Sequence, residues 1–282
     1  MRDPPRFLYR ASSWQGKRHT NGHDELTIHL PAAHKNRDER CADTIYDEPN
    51  GLGELAEMLG RRYLWQDRRK DATLSWTSSL LFALVLALGR KAKDQEFVGI
   101  HVIDTTKVTT LDGRPVEFHY TRDIMRILKV TEWPGWNDQW ERLFLRQPWY
   151  THEYVTHGAI KSPVEHSLEL DLDEALDAGL MDLIPSLLIA DPDEAKSLYQ
   201  RCVYTRGVGH GVNGQRHPVT TSKLELANKI GCLFLSREAR ASADDPTAPI
   251  FIFVDLLGMY SRPRQDETFM EWMKARYTRK YI

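Results

Sequence analysis

One stretch constrains this chain more than any other: Thr73-Leu74-Ser75-Trp76-Thr77-Ser78-Ser79, which runs without a break into Leu80-Leu81-Phe82-Ala83-Leu84-Val85-Leu86-Ala87-Leu88. Thr73, Leu74, Trp76 and Thr77 favour a short strand, with hydroxyls mixed among apolar side chains. The apolar run that follows is about three turns long if helical, and a helix apolar on nearly every side is normally buried. Ser78 or Ser79 supplies the N-cap, since a serine oxygen accepts from an orphan N–H of the first turn. Gly89 followed by Arg90 and Lys91 predicts the stop. The stretch therefore delivers a cluster of hydroxyls to the start of a buried helix. Its plainest use is a core junction whose serines only cap.

The rest of the chain is long enough to bury such a helix. It has 282 residues, 41% of them apolar and 28% charged, which fits one large domain or two modest ones. A formal net charge of −2 gives no electrostatic case for nucleic acid or an anionic membrane. Cys41, Cys202 and Cys232 are odd in number and far apart, so they form neither a disulfide framework nor a zinc motif, and they fit a reducing compartment. Met1-Arg2-Asp3-Pro4-Pro5 has no apolar signal core, and Leu80–Leu88 is too short to span a bilayer. A cytoplasmic or nuclear protein is expected, with no membrane association and nucleic acid an improbable partner.

Arg6-Phe7-Leu8-Tyr9-Arg10 follows a Pro-Pro pair and reads as a strand, with Phe7 and Tyr9 on one side and Leu8 and Arg10 on the other. If Leu8 faces inward, Arg10 shares that side and needs an anionic partner; at a solvent-facing strand end it needs none. Residues 12–50 are polar and loop-like. They carry His19, His23, His29 and His34, whose spacings match no compact metal motif. Residues 52–66 have helical spacing. Phe97–Asp104 reads as a strand, Val116–Tyr120 as another, and Thr121–Leu128 as a short helix. Trp133, Trp136, Trp140 and Trp149 either stack on a flat ring or bury a loop. Tyr154, Val155 and Thr156 form a strand that Glu153 begins; if partly buried, that carboxylate is a candidate for acid–base or charge-stabilising work.

The last third differs. Val164–Leu176 and Met181–Leu188 read as helical, with Pro185 ending or kinking the second, and Asp193–Cys202 continues in the same way. Arg206–Gly214 is glycine-rich but lacks the Gly-Lys-Ser/Thr of a P-loop and reads as a linker. Ser222–Leu235, Ile250–Leu257 and Glu267–Tyr277 complete the pattern. The organisation expected is an α+β domain over 1–161 and a mainly helical region over 162–282.

Taken together, an early strand ending in arginine, a middle strand of serine and threonine before a helix, and a later strand opening with glutamate resemble the ADP-ribosyltransferase superfamily of the Arg–Ser–Glu type. The residues that carry the resemblance are Phe7-Leu8-Tyr9-Arg10, Leu74-Ser75-Trp76-Thr77-Ser78 and Thr151-His152-Glu153-Tyr154-Val155, with Gly158 and Ile160 after them. The texture also resembles an uncharacterised domain family of filamentous fungi in which such a region precedes helical sequence. The resemblance covers roughly residues 5–161 and implies an ADP-ribosyltransferase-like split β-sheet core. It implies NAD as substrate, cleaved at the nicotinamide–ribose bond through an oxocarbenium-like state. Arg10, Ser75 and Glu153 would be its catalytic residues. Arg10, Tyr9, Ser75, Trp76, Thr77, Ser78 and Thr151 would contact the dinucleotide, with no metal involved. The acceptor, expected to be a protein, is open. Trp76 stands where members usually carry a small or β-branched residue, and there it would cover the nicotinamide. Thr151, two before the glutamate, is not the glutamate usual in members that modify arginine.

Two other classes use the same fold. A catalytically inactive member would serve as a protein-interaction module and need not bind NAD. An RNA 2′-phosphotransferase-like enzyme would cluster basic side chains such as His101, His119 and Arg122 around a phosphate. An unrelated α+β protein would leave Arg10, Ser75 and Glu153 far apart.

Overall fold

The strand expected at Thr73 is the middle of a sheet. The computed structural model describes residues 3–12, 26–29, 51–63, 72–130, 152–163, 166–187, 219–241, 247–259 and 266–277. Its elements, in chain order, are β1 (Phe7–Ser12), β2 (Leu26–His29), α1 (Gly51–Tyr63), β3 (Thr73–Thr77), α2 (Leu80–Lys91), β4 (Gly99–Asp104), β5 (Thr109–Thr110), β6 (His119–Tyr120) and α3 (Thr121–Val130). There follow β7 (Glu153–His157), β8 (Ile160–Pro163), β9 (Ser167–Asp171), α4 (Leu172–Asp177), α5 (Leu180–Leu183), a 3₁₀ turn (Pro185–Leu187), α6 (Thr221–Cys232), α7 (Arg237–Ala241), α8 (Ile250–Leu257) and α9 (Glu267–Tyr277). The chain forms two compact units, Met1–Ser78 with Val102–Ser167, and Ser79–His101 with Leu168–Ile282. Helices and antiparallel sheet coexist, so the fold is of the α+β class.

In the first unit the strand order is β6-β7-β3-β1, with the end of β4 next to β1. The pairs β1–β3, β3–β7 and β6–β7 are antiparallel. A separate three-stranded antiparallel sheet runs β2-β8-β5. Period-2 alternation decides what lies between the sheets. Leu8, Leu74, Trp76, Tyr120 and Tyr154 from the larger sheet join Ile160 of β8 in one buried cluster. His29 of β2 meets the Trp76 ring edge-on at 5.1 Å. The unit is thus a sheet-on-sheet core, with α3 lying along β6 and β7 and packed against α1. At the far edge, Asp104 accepts from Arg6 Nε at 3.0 Å and from Thr106 N and Oγ1 at 3.0 and 2.7 Å, while Thr105 N donates to the Arg6 carbonyl at 2.8 Å. Burial pushes the Asp104 carboxyl up. The Thr106 and Arg6 hydrogen bonds outweigh that and hold it below the usual range.

In the second unit α2 is buried along Leu80, Leu81, Ala83, Leu84, Val85 and Ala87, and Ser79 is its N-cap, with Phe82 N donating to Ser79 Oγ at 3.3 Å. Helices α6, α8 and α9 share an aromatic core in which Phe253 stacks on Trp272 at 4.6 Å. Asp266 closes two backbone donors, accepting from Val219 N at 2.9 Å and Phe269 N at 3.1 Å.

Three sequence expectations change. The loop-like segment 12–50 contains β2, which pairs residue for residue with β8 from Leu26↔Pro163 to His29↔Ile160. Helix α2 runs through Gly89 to Lys91, because Ala92 N still reaches the Leu88 carbonyl at 2.9 Å, so the glycine does not stop it. Residues expected to be helical from Val164 begin instead as β9. The helix starts only at Leu172, where Asp171 accepts from Asp173 N and Glu174 N at 2.8 and 3.3 Å. Pro185 ends its helix, one of the two outcomes expected of it: α5 stops at Leu183 and a 3₁₀ turn begins at the proline. The four tryptophans from 133 to 149, the segments 193–202 and 206–214, His19, His23, His34 and Thr151 lie outside the described residues.

Gly231 tests the packing of α6. A Cβ there would sit 2.5 Å from the Ala248 Cβ. Gly231→Ala is predicted to cost about 1–3 kcal/mol, measured from urea denaturation midpoints, and Ala248→Gly in the same chain should recover part of that loss.

Candidate functional site

Adjacent antiparallel strands put directly opposed residues on one face of a sheet. The register is Tyr9↔Thr77 between β1 and β3, and Thr77↔Glu153 between β3 and β7. Tyr9, Thr77 and Glu153 therefore form one row across three neighbouring strands, although 68 and 76 positions of sequence separate them, counting from 9 to 77 and from 77 to 153. All three are buried, Glu153 at 8% exposure and Thr77 at 4%. Ser75 lies two residues back on the same face, opposite Val155, which in turn is opposite His119. The Ser75 hydroxyl oxygen is buried and has no hydrogen-bond partner among the described residues. This face thus gathers a carboxylate, a threonine and a serine hydroxyl, a tyrosine and an imidazole.

The other face carries the remaining candidates. Trp76 is opposite Tyr154 and points into the core between the sheets. Leu8 faces that core, and Arg10 shares its side, with its guanidinium carbon 5.8 Å from the Trp76 ring centre. Ser78 extends the β3–β7 ladder by one step: its N–H donates to the His152 carbonyl at 2.8 Å and its hydroxyl to the same oxygen at 3.4 Å. The residues expected to work together are therefore close in the sheet but divided by the pleat. Tyr9, Ser75, Thr77 and Glu153 are on one face; Arg10, Trp76 and Ser78 are on the other. Thr77, not Ser75, stands directly opposite Glu153.

His119, one of the basic residues that a phosphotransferase would gather around a phosphate, lies in this sheet. It is 4% exposed, and burial lowers its pKa, partly opposed by Glu117, whose Oε2 lies 3.5 Å from Nε2. Its place two strands from Ser75 follows from β6 pairing with β7, which nothing in its local sequence announces. Arg122 is in α3 of the same unit, whereas His101 belongs to the second unit, with Nε2 3.9 Å from Glu169. Among the described residues no group of three or more His, Cys, Asp or Glu side chains is placed to hold a metal ion, and no helix is long and apolar enough to cross a membrane.

Comparison of the chain with protein-family models, with curated proteins and with solved structures finds no match. The functional reading accordingly rests on the residues and their placement.

The imidazole makes the sheet sensitive to acid. Its folded-state pKa is lowered by burial, so below about pH 6.5, the ordinary histidine value, the unfolded chain binds more protons than the folded one. Stability should be full above that pH and fall as pH drops toward the folded value. Urea midpoints at pH 7.5 and 5.5 should show a smaller acid loss for His119→Gln than for wild type.

Proposed function

We propose that the first unit is an NAD-dependent ADP-ribosyltransferase acting on a protein acceptor. The observation that carries this reading is the row Tyr9–Thr77–Glu153, which makes neighbours of the three strands that bear the arginine, hydroxyl and glutamate motifs. In the reaction the bond between nicotinamide nitrogen and ribose C1 breaks. Nicotinamide leaves as a neutral base with the bonding pair, and the ribose becomes oxocarbenium-like. The acceptor nucleophile then bonds to C1 and releases its proton. A carboxylate beside the ribose stabilises the positive charge that develops, and an ion with little water around it does so with less screening. Glu153 takes that role. Thr77, directly opposite, orients the carboxylate or a ribose hydroxyl, and the Ser75 hydroxyl has hydrogen-bonding capacity to give to the same sugar. Arg10 is assigned to holding Trp76, its ring neighbour, rather than to the face of Glu153.

The side taken by Arg10 favours a second reading, a non-catalytic member of the same fold that binds a partner. The two differ in whether NAD binds and turns over.

Nicotinamide release from NAD by the purified chain should fall about 10²–10³-fold in Glu153→Gln, as on loss of a transition-state charge contact. Thr77→Val should lower it about tenfold, the scale of one hydrogen bond to a charged group, and more than Ser75→Ala does. Release unchanged in Glu153→Gln would remove the assignment of Glu153. No release by wild type, with no heat of NAD binding by calorimetry, would leave the partner-binding reading.

A further inference from the structure

The pleat places Arg10 with Trp76, away from the face of Glu153. A different arginine is anchored on that face. Arg6 comes just before β1, and its Nε donates to Asp104 Oδ2 at 3.0 Å. Two alternations fix the side. In β4, Ile103 belongs to the core between the sheets, so Asp104, the next residue, is on the opposite face. In β1, Leu8 belongs to that core, so Phe7 and Tyr9 are on the opposite face too. The Arg6 guanidinium carbon is 5.1 Å from the Phe7 ring centre. Both anchors of the guanidinium, Asp104 and Phe7, thus share the face of the row Tyr9–Thr77–Glu153.

Arg6 is fixed along its length. Its carbonyl accepts from Thr105 N at 2.8 Å and from Thr105 Oγ1 at 3.1 Å, and the same hydroxyl is 3.0 Å from the Pro5 carbonyl. Pro4 and Pro5 restrict the backbone before it. Asp104 is 3% exposed and is held in turn by Thr106 N and Oγ1. Among the described residues the two terminal nitrogens of Arg6 donate to no acceptor, and its side chain is 66% exposed. An arginine fastened by Nε and by its plane presents its remaining N–H groups as a preset fork, a geometry that suits phosphate oxygens. Asp104 offsets part of the charge, so a ligand is held by directed, charge-assisted hydrogen bonds from that fork.

At about 4.8 Å between strands and 3.3 Å per residue, the corner formed by Phe7 and Asp104 lies roughly 10–15 Å from Glu153 across two or three strands. A free phosphate cannot cover that span; a dinucleotide can. We infer that Arg6, in place of Arg10, holds the pyrophosphate of NAD on this face. The inference rests on the NAD reading above and adds the phosphate end of the substrate to it.

Calorimetry of the full chain with NAD and with ADP, which carries the pyrophosphate without the nicotinamide ribose, tests it. Arg6→Gln should weaken both ligands about tenfold, the scale of one charged hydrogen bond. Arg6→Lys should recover only part of the loss, since a lysine has no fork to share between Asp104 and a phosphate. Glu153→Gln should bind ADP as wild type does, and so should Lys107→Gln, which removes an exposed cation from the turn closed on Asp104. In nicotinamide release, Arg6→Gln should raise KM and nearly keep kcat, whereas Glu153→Gln loses kcat. Melting temperatures are checked for every variant. Wild-type affinity for NAD and ADP in Arg6→Gln, or a larger loss of ADP binding in Arg10→Gln than in Arg6→Gln, would overturn the assignment of Arg6 and leave the NAD reading standing. No NAD binding by wild type would remove both.

Discussion

Everything in the first unit depends on β3 being held on both edges and both faces. Its backbone pairs with β1 on one side and β7 on the other, and its burial leaves only Ser75 partly accessible. A strand in that position has no freedom to slip. A shift of one residue would turn Leu74 and Trp76 out of the core and Thr73, Ser75 and Thr77 into it. The apolar residues fix which way the hydroxyls point. The hydroxyl face is thus a consequence of the tryptophan face, and Trp76, 1% exposed, is the largest side chain enforcing it.

The same constraint separates two adjacent serines. Ser78 still belongs to the sheet, since its N–H continues the ladder to His152, whereas Ser79 has left it and caps α2. The change from strand to helix takes one residue.

Much of this was legible in the chain. Residues 73–77, the uninterrupted apolar run after them, the strand ending at Asp104 and the terminal helix Glu267–Tyr277 appear where their patterns put them. Even the side of Arg10 was implicit, because an inward Leu8 forces it by alternation. What could not be read was register between strands. Nothing in the local sequence says that Tyr9 stands opposite Thr77, or that Thr77 rather than Ser75 stands opposite Glu153. β9 escaped for a related reason. Ser167–Asp171 is short and interrupted by Glu169, and its strand character comes from a partner. Gly99 approaches it so closely that a Cβ there would meet the Leu170 carbonyl oxygen at 2.9 Å. β2 is four residues long and is likewise defined by what it pairs with.

The division of the motif by the pleat has a chemical consequence. A guanidinium over an indole gains from the ring quadrupole, a contact that the opposite face of the strand would not offer. The Trp76 N–H is itself buried without a partner among the described residues, which marks this interior as polar in more than one place. The two faces of β3 therefore do different work. One packs an arginine and a tryptophan and sets the strand's position; the other carries a buried carboxylate beside hydroxyls, which under the proposed reading would act on positive charge forming beside it. The packing on one side of the sheet thereby fixes the row Tyr9–Thr77–Glu153 on the other.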